Sequence, residues 1–525
     1  MRYAVNAEEM KRIDQYTVEK TKIPAVLLME RAAIEVTIAM KQVIQKQDRI
    51  LAVCGMGNNG GDGIAAGRIL YLQGYQVAIL FVGDEKKVTE QTKLQLEIAR
   101  NLDIPMEHVN HLAEYNVIID AVFGVGLSRP VTGEYAELIT GINKARCSSD
   151  ILWEQNRRRV FAVDIPSGIS ADDGSAMNIA VRADMTITFG YHKLGLLLHP
   201  GADYAGEVIV ADIGFPKVAE RSVQPGAFYY EQKDLKRIPA RHNYSNKGTY
   251  GKVLIIGGSK GMSGAPCLSA RAAYKTGVGL VKILTSYENR NIMQTVIPEA
   301  LFAAHDDICL TPEERRKRIS ESLNWATVIV IGPGLGNSES ARELLFQVIR
   351  EAKVPVILDA DGLNILAKEM DDRGLTGKDR LAYLDLFLKE GTIVTPHMLE
   401  LSRLLGVDLN EISRHLIDTA AVCSSHSKLV YAIKDARTVV TIQEKLYLNT
   451  SGNHGMATGG SGDVLTGVIA ALIAQGMSPD EAACLGVYLH GTAGDAAAKE
   501  KGAYSMMAGD IVNAIEIILK NVVNL

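Results

Sequence analysis

The sequence predicts an α/β protein of two domains, the first of them a doubly wound parallel sheet. Three observations carry this. The chain has 525 residues, more than one hydrophobic core organises. Short continuous apolar runs recur along it, as expected of strands buried on both faces. Its 48 glycines suit the tight strand-to-helix turns of such folds.

Taken in order, Asn6 followed by Glu9 reads as a capping box, with Met10, Ile13 and Thr17 at helical spacing behind it. Strands are expected at residues 50–54, 77–82, 117–121 and 160–163, and each of the first two is followed by a helix, the first of these beginning near Ile64. Residues 147–159 interrupt the pattern with polar and basic side chains and read as a solvated surface insertion. Around 215–246 the periodicity fades and Pro216, Pro225 and Pro239 appear. A strand ending in a glycine turn restarts the pattern at 250–258, and buried strands follow at 328–331, 356–358, 393–395 and 429–433, separated by helices rich in Ala and Leu. The expected organisation is a first domain over 1–215, a linker over 216–244 and a second domain over 245–525. The halves share no repeat.

Composition narrows the function classes. A net charge of −5 gives no electrostatic footprint for nucleic acid or an anionic membrane. The six cysteines, Cys54, Cys147, Cys267, Cys309, Cys423 and Cys484, lie far apart without metal-ligand spacing, which points to reduced thiols. The N-terminus has no apolar core of the signal-peptide kind. The run at 467–474 falls short of the ~20 residues that span a bilayer. A cytoplasmic protein is expected.

In the first half, the strand at 50–54 runs into Gly55-Met56-Gly57-Asn58-Asn59-Gly60-Gly61-Asp62-Gly63. A glycine-rich turn feeding a helix presents free N–H groups and partial positive charge, a seat for phosphate. Two further strand ends carry polar cargo, Asp120 before Gly124-Val125-Gly126-Leu127-Ser128-Arg129-Pro130, and Asp164 before Ile165-Pro166-Ser167-Gly168. Ligands of open parallel sheets bind at the carboxyl ends of strands. Asn59, Asp120, Asp164 and Ser167 converging there would suit a hard cation completed by backbone carbonyls. Taken singly, each aspartate serves equally well as the cap of its turn.

These three motifs, residues 58–62, 120–129 and 164–168, resemble the NAD(P)H-hydrate epimerase domain, which is Rossmann-like, over roughly residues 1–215. The resemblance implies that Asn58, Asn59, Gly60, Gly61 and Asp62, with Gly124, Val125, Gly126, Leu127, Ser128, Arg129 and Pro130, hold a hydrated nicotinamide nucleotide. It implies potassium on Asn59, Asp120 and Ser167, and Asp164 as acid/base at the damaged ring. Tyr135 is expected to line the same pocket.

The second half carries the densest local signal, Asn449-Thr450-Ser451-Gly452-Asn453-His454-Gly455-Met456-Ala457-Thr458-Gly459-Gly460-Ser461-Gly462-Asp463, opening a helix near Gly462. The helix terminus attracts an anion by roughly 0.3–1 kcal/mol, enough to help seat phosphate but not to drive chemistry. Asp463 beside it suits a base toward a substrate hydroxyl; the alternative, a favourable first-turn acid, leaves the glycine density of the preceding loop without a reason.

This loop resembles the ribokinase-like superfamily, an α/β/α sandwich. Gly257-Gly258-Ser259, Ser263-Gly264-Ala265-Pro266, Gly277-Val278-Gly279-Leu280-Val281, Gly332-Pro333-Gly334-Leu335-Gly336, Asp359-Ala360-Asp361-Gly362-Leu363-Asn364 and Thr395-Pro396-His397 are similar, as an ordered set, to the ADP-dependent NAD(P)H-hydrate dehydratase domain. The resemblance implies that Ala265, Gly334, Gly336 and His397 contact the hydrated nucleotide. Lys434, Asp435, Ala436, Arg437 and Thr438 would hold the adenine nucleotide with Gly462, and Asp463 would be the base. It implies ADP, or ATP as in eukaryotic members, with Mg2+, and both NADHX and NADPHX (the hydrates) as substrates of a homo-oligomeric enzyme. Two positions depart from the family, Leu399 for glycine at the pocket edge and His454 for proline in the nucleotide loop. His397 could instead be a plain helix cap, while His490 reads as core and Asp495 as surface. The competing readings are a ribokinase-like kinase of small alcohols fused to a nucleotide-binding module, and a nucleotide-binding scaffold. The former leaves the first half unexplained, and the latter has no need of Asp120, Asp164 and Asp463.

Overall fold

The computed structural model describes residues 1–147 and 158–522, so most of the polar insertion expected at 147–159 lies outside the described residues. The chain divides into two compact units, Tyr3–Gly226 and Met1–Arg2 with Ala227–Leu525. Within residues 216–244, expected as linker, the helix Lys217–Val223 packs Ala219 and Val223 against Val5, Met10 and Ile13 of the first unit. Strand Ala227–Tyr229 pairs in parallel with Lys445–Leu448 of the second.

The first unit is built on six parallel strands in the spatial order Gln76–Phe81, Arg49–Cys54, Val117–Ala121, Arg159–Val163, Met185–Phe189, Glu207–Ala211. Apolar runs make the central strands because both faces are covered, and Ile50, Ala52, Ile119 and Val163 are fully buried. The strands at 185–189 and 207–211 escape sequence reading, since Thr186 and Thr188 break the first run and the second is only half-buried. The helix at the N-terminus is capped as expected, Asn6 Oδ1 accepting from the Glu9 N–H and Glu9 from that of Asn6.

One expectation is corrected. The helix after the first strand begins at Asn58, not near Ile64, and runs to Leu72. Gly60 and Gly63, which read as part of a turn, lie on its inner face. A Cβ on Gly60 would lie 1.9 Å from the Gly55 carbonyl oxygen, and one on Gly63 2.3 Å from the Ala121 Cβ. They are there so that the helix can approach the sheet closely.

The second unit carries parallel strands in the order Leu301–Ala304, Leu280–Thr285, Lys252–Ile256, Val328–Ile331, Val356–Leu358, Ile393–Val394, Val430–Ile433. Antiparallel Val439–Ile442 and Lys445–Leu448 extend it. Helices Gly264–Lys275 and Ser461–Ala474 pack closely, and a Cβ on Gly467 would meet the Ser269 carbonyl oxygen at 2.1 Å. In both sheets the chain leaves the first strand to one side and returns on the other. That creates a switch point between 49–54 and 117–121, and another between 252–256 and 328–331, where crevices form at the carboxyl ends. Among the described residues no helix is long and apolar enough to cross a membrane.

Candidate functional site

At the first switch point, Asn59 lies in the opening turn of helix Asn58–Leu72 and donates from Nδ2 to the Phe123 carbonyl at 3.0 Å. Its Oδ1 is buried with no hydrogen-bond partner. Gly124 lies so close that a Cβ there would touch the Asn59 side chain at 3.1 Å. Behind them Asp120 is fully buried, accepting at Oδ1 from Ser167 Oγ (2.6 Å) and at Oδ2 from Ser167 N (2.8 Å). Burial raises the Asp120 pKa to about 6, the Ser167 bonds opposing. An orphaned amide oxygen beside a buried carboxylate and the Phe123 carbonyl is a donor set that fits a monovalent cation. The loop 124–130 rises from half-buried at Gly124, Val125 and Leu127 to exposed at Gly126, Ser128, Arg129 and Pro130. Tyr135 is half-buried with its ring 5.0 Å from that of Phe123.

Asp164, at the end of the next strand, is held at φ +66, the left-handed region non-glycine residues avoid, and is 9% exposed. Its Oδ1 accepts from Thr188 Oγ1 (3.1 Å), Phe189 N (3.1 Å) and Lys193 Nζ. Lys193 is fully buried. Asp62 and Asp14 face the same group. Burial, then the charge of Asp164, raises both of their pKa values, that of Asp62 well above its ordinary range. Sequence reasoning missed Lys193, Thr188 and Asp14. The one available signal was a lone lysine heading the apolar run 194–198.

The second crevice collects residues from five neighbouring strand ends. Gly257 packs on Pro333, Gly334 faces Met262 and Ala265, and Gly336 lies over Ser259 and donates its N–H to Asp361 at 2.7 Å. Asp359, Lys434 and His397 follow the three strands beyond. Lys434 Nζ pairs with Asp359 Oδ1 at 2.7 Å and lies 3.9 Å from Glu400 Oε2. Burial works against the lysine's charge, yet Asp359 and Glu400 outweigh it and raise its pKa. Gly462 leaves room for that amine, 3.2 Å from where a Cβ would sit. Asp463 stands in the first turn of helix Ser461–Ala474, after Gly460 at φ +92. Burial, then Asp359, with Lys434 opposing and Asp361 and Glu400 adding, raises its pKa to about 7.

Of the other expected residues, Asp435 and Ala436 are exposed, and Arg437 and Thr438 half-buried, with Arg437 Nη1 donating to the Thr450 carbonyl at 3.1 Å. His397 caps helix Met398–Leu405, its Nδ1 accepting from Leu399 N and Glu400 N at 3.2 Å, so the cap reading describes its geometry. Leu399 is 42% exposed. His490 is core and Asp495 surface, as expected, and each has a use. Burial lowers the His490 pKa to about 4, and its Nε2 lies 3.4 Å from Ser461 Oγ. Asp495 accepts from Gly452 N and Asn453 Nδ2, both at 2.9 Å, fastening the glycine-rich loop. Among the described residues no group of three or more His, Cys, Asp or Glu could hold a metal.

A family model described as NAD(P)H-hydrate dehydratase matches residues 253–517, and one described as YjeF-related protein N-terminus matches 26–195. The bifunctional NAD(P)H-hydrate repair enzyme Nnr of Moorella thermoacetica is 36% identical over 548 residues, covering 99% of this chain and 97% of that protein. The enzyme of the same description from Escherichia coli is 34% identical, over 89% of this chain and 84% of its own. Among solved structures, a ribokinase-like superfamily protein of Enterococcus faecalis, 27% identical, matches with a TM-score of 0.50 over 57% of this chain and 96% of its own.

Proposed function

This chain belongs to the family of bifunctional NAD(P)H-hydrate repair enzymes, and on that premise we propose a division of its chemistry between the two crevices. The first unit epimerises the R and S hydrates of NADH and NADPH. The second dehydrates the S form to NAD(P)H with ADP, or ATP, as phosphoryl donor. The observation that carries this reading is the pairing, in each unit, of a glycine-lined strand-end loop with a carboxylate, Asp164 buried in one and Asp463 half-buried in the other.

Inversion at the hydroxyl-bearing ring carbon requires a bond there to break and re-form, with a proton moved on and off the oxygen. Asp164 is the carboxylate for that transfer, and Asn58, Asn59, Gly60, Gly61, Asp62, residues 124–130 and Tyr135 seat the nucleotide. The orphaned Asn59 Oδ1, Asp120 and Ser167 would hold potassium, which supplies fixed positive charge for phosphate. In the second unit Asp463 takes the proton of the ring hydroxyl as its oxygen attacks the terminal phosphorus of the nucleotide. The phosphate ester then leaves as phosphate, and loss of a ring proton restores the double bond. Hydroxide leaves poorly and phosphate well, which accounts for the spent nucleotide. Ala265, Gly334, Gly336 and His397 are assigned to the hydrate. Gly462 and Lys434, Asp435, Ala436, Arg437 and Thr438 are assigned to the adenine nucleotide, whose bound Mg2+ would neutralise charge on the transferred group. A cytoplasmic homo-oligomer is the proposed context.

The test uses a mixture of R and S hydrates with ADP, followed at the reduced-nicotinamide absorbance band. Full recovery of NADH is expected. Recovery confined to the S portion, beyond spontaneous interconversion, removes the epimerase assignment. No recovery removes the dehydratase.

A further inference from the structure

The geometry points to Lys193 as the positioning residue that makes Asp164 a one-oxygen base, an inference that rests on the epimerase reading of Asp164. Among the described residues, each hydrogen bond to the Asp164 carboxylate lands on Oδ1, with donors Thr188 Oγ1, Phe189 N and Lys193 Nζ. Oδ2 receives none. Lys193 in turn spends its donors inside the protein, on Asp164 Oδ1, Thr188 Oγ1 (2.9 Å) and the Phe189 carbonyl (3.1 Å). A fully buried ammonium is costly unless paired and hydrogen-bonded. Here that pairing fixes the carboxylate plane, while Oδ2 alone stays available to substrate. Lys193 itself touches no substrate, because its ammonium has no donor left to offer.

Among the described residues, the other titratable groups that feel the charge of Asp164 include Asp62, on helix Asn58–Leu72, and Asp14, on helix Ala7–Glu19. Both are carboxyls, like Asp164 itself. Lys193 is the cation that offsets them.

The experiment measures epimerisation of purified R-NADHX by the full-length Lys193→Met, Thr188→Val and Asp164→Asn variants, each checked for native far-UV circular dichroism. In Lys193→Met we expect kcat to fall about 100-fold, within the range of general acid–base contributions. KM should stay within about twofold and the acid limb of the kcat profile should move to higher pH. Thr188→Val removes one donor to Oδ1 with little change of volume, and we expect kcat to fall about 10-fold at constant KM. A purely structural lysine would lower kcat without moving the acid limb, and that result overturns the proposal, as does an unchanged kcat in a folded Lys193→Met. Should Lys193→Met fail to fold, Thr188→Val decides, and an unchanged kcat there rejects the inference. An active Asp164→Asn would instead reject the underlying reading of Asp164.

Discussion

Asp463 has a pKa of about 7 because it is buried beside Asp359, with Lys434 only partly compensating. Only its ionised form accepts a proton, so dehydration should rise with pH through about 7 and level off above, measured as NADH released from S-NADHX at saturating ADP. The same shift has a sign for stability. A carboxyl whose folded pKa lies above its ordinary 3.8 favours folding while protonated. That contribution is lost as pH climbs from about 4 through about 7. Asp463→Asn should therefore lower dehydration roughly 10²–10⁴-fold, leave epimerisation intact, and melt a few degrees above the parent at pH 8 but level with it at pH 4. A melting gain that persists at pH 4 would contradict this account of the charge.

At the scale of elements, the glycines of helix Asn58–Leu72 are spacing devices. With the Gly55 carbonyl oxygen 1.9 Å from a Cβ on Gly60, Gly60→Ala should cost more than the ~1–3 kcal/mol usual for overpacking. Urea denaturation would register this as a lower midpoint at constant slope, and a midpoint equal to the parent's would show that the helix can shift. Asp495 acts at the opposite end of the chain, clipping Gly452 and Asn453. Asp495→Ala should raise the KM for ADP several-fold, since two charge-assisted bonds of about 1.5–3 kcal/mol each order the loop. These cases also mark what the sequence could tell. Central strands were legible because burial on both faces leaves an unbroken apolar run. The start of the first-unit helix was not, because a glycine needed for close approach looks the same in sequence as one needed for a turn. Asp120, Asp164 and Ser167 stood out by their position after strands, and the structure brings Asp120 and Ser167 into direct contact. Lys193 was illegible because its partner Asp164 arrives from a different strand, and a lysine ahead of an apolar run reads as a surface residue. His397 offered two readings in the sequence, and it caps helix Met398–Leu405 while staying exposed, so the two are compatible.

For the whole molecule, the contacts that shape each candidate site lie within one unit. Asp164 draws on Asp14, Asp62, Thr188 and Lys193, all of Tyr3–Gly226. Asp463 draws on Asp359, Asp361, Glu400 and Lys434, all of Ala227–Leu525. The chemistry divides the same way, since inversion consumes no nucleotide and dehydration requires one. Two carboxylates serving separate reactions should be separable genetically, so Asp164→Asn should convert only the S share of a hydrate mixture promptly. Asp463→Asn should equilibrate R and S while releasing no NADH. Mixed in one cuvette, the two variants should restore full recovery, because the hydrate is a soluble small molecule that either site can bind from solution. Stopped-time chromatography of the two hydrates, alongside NADH absorbance, reads all three cases. If the mixture stalls at the S share although each variant retains its own remaining activity, then the hydrate does not pass through solution, and the two sites are joined in a way that their separate chemistries do not require.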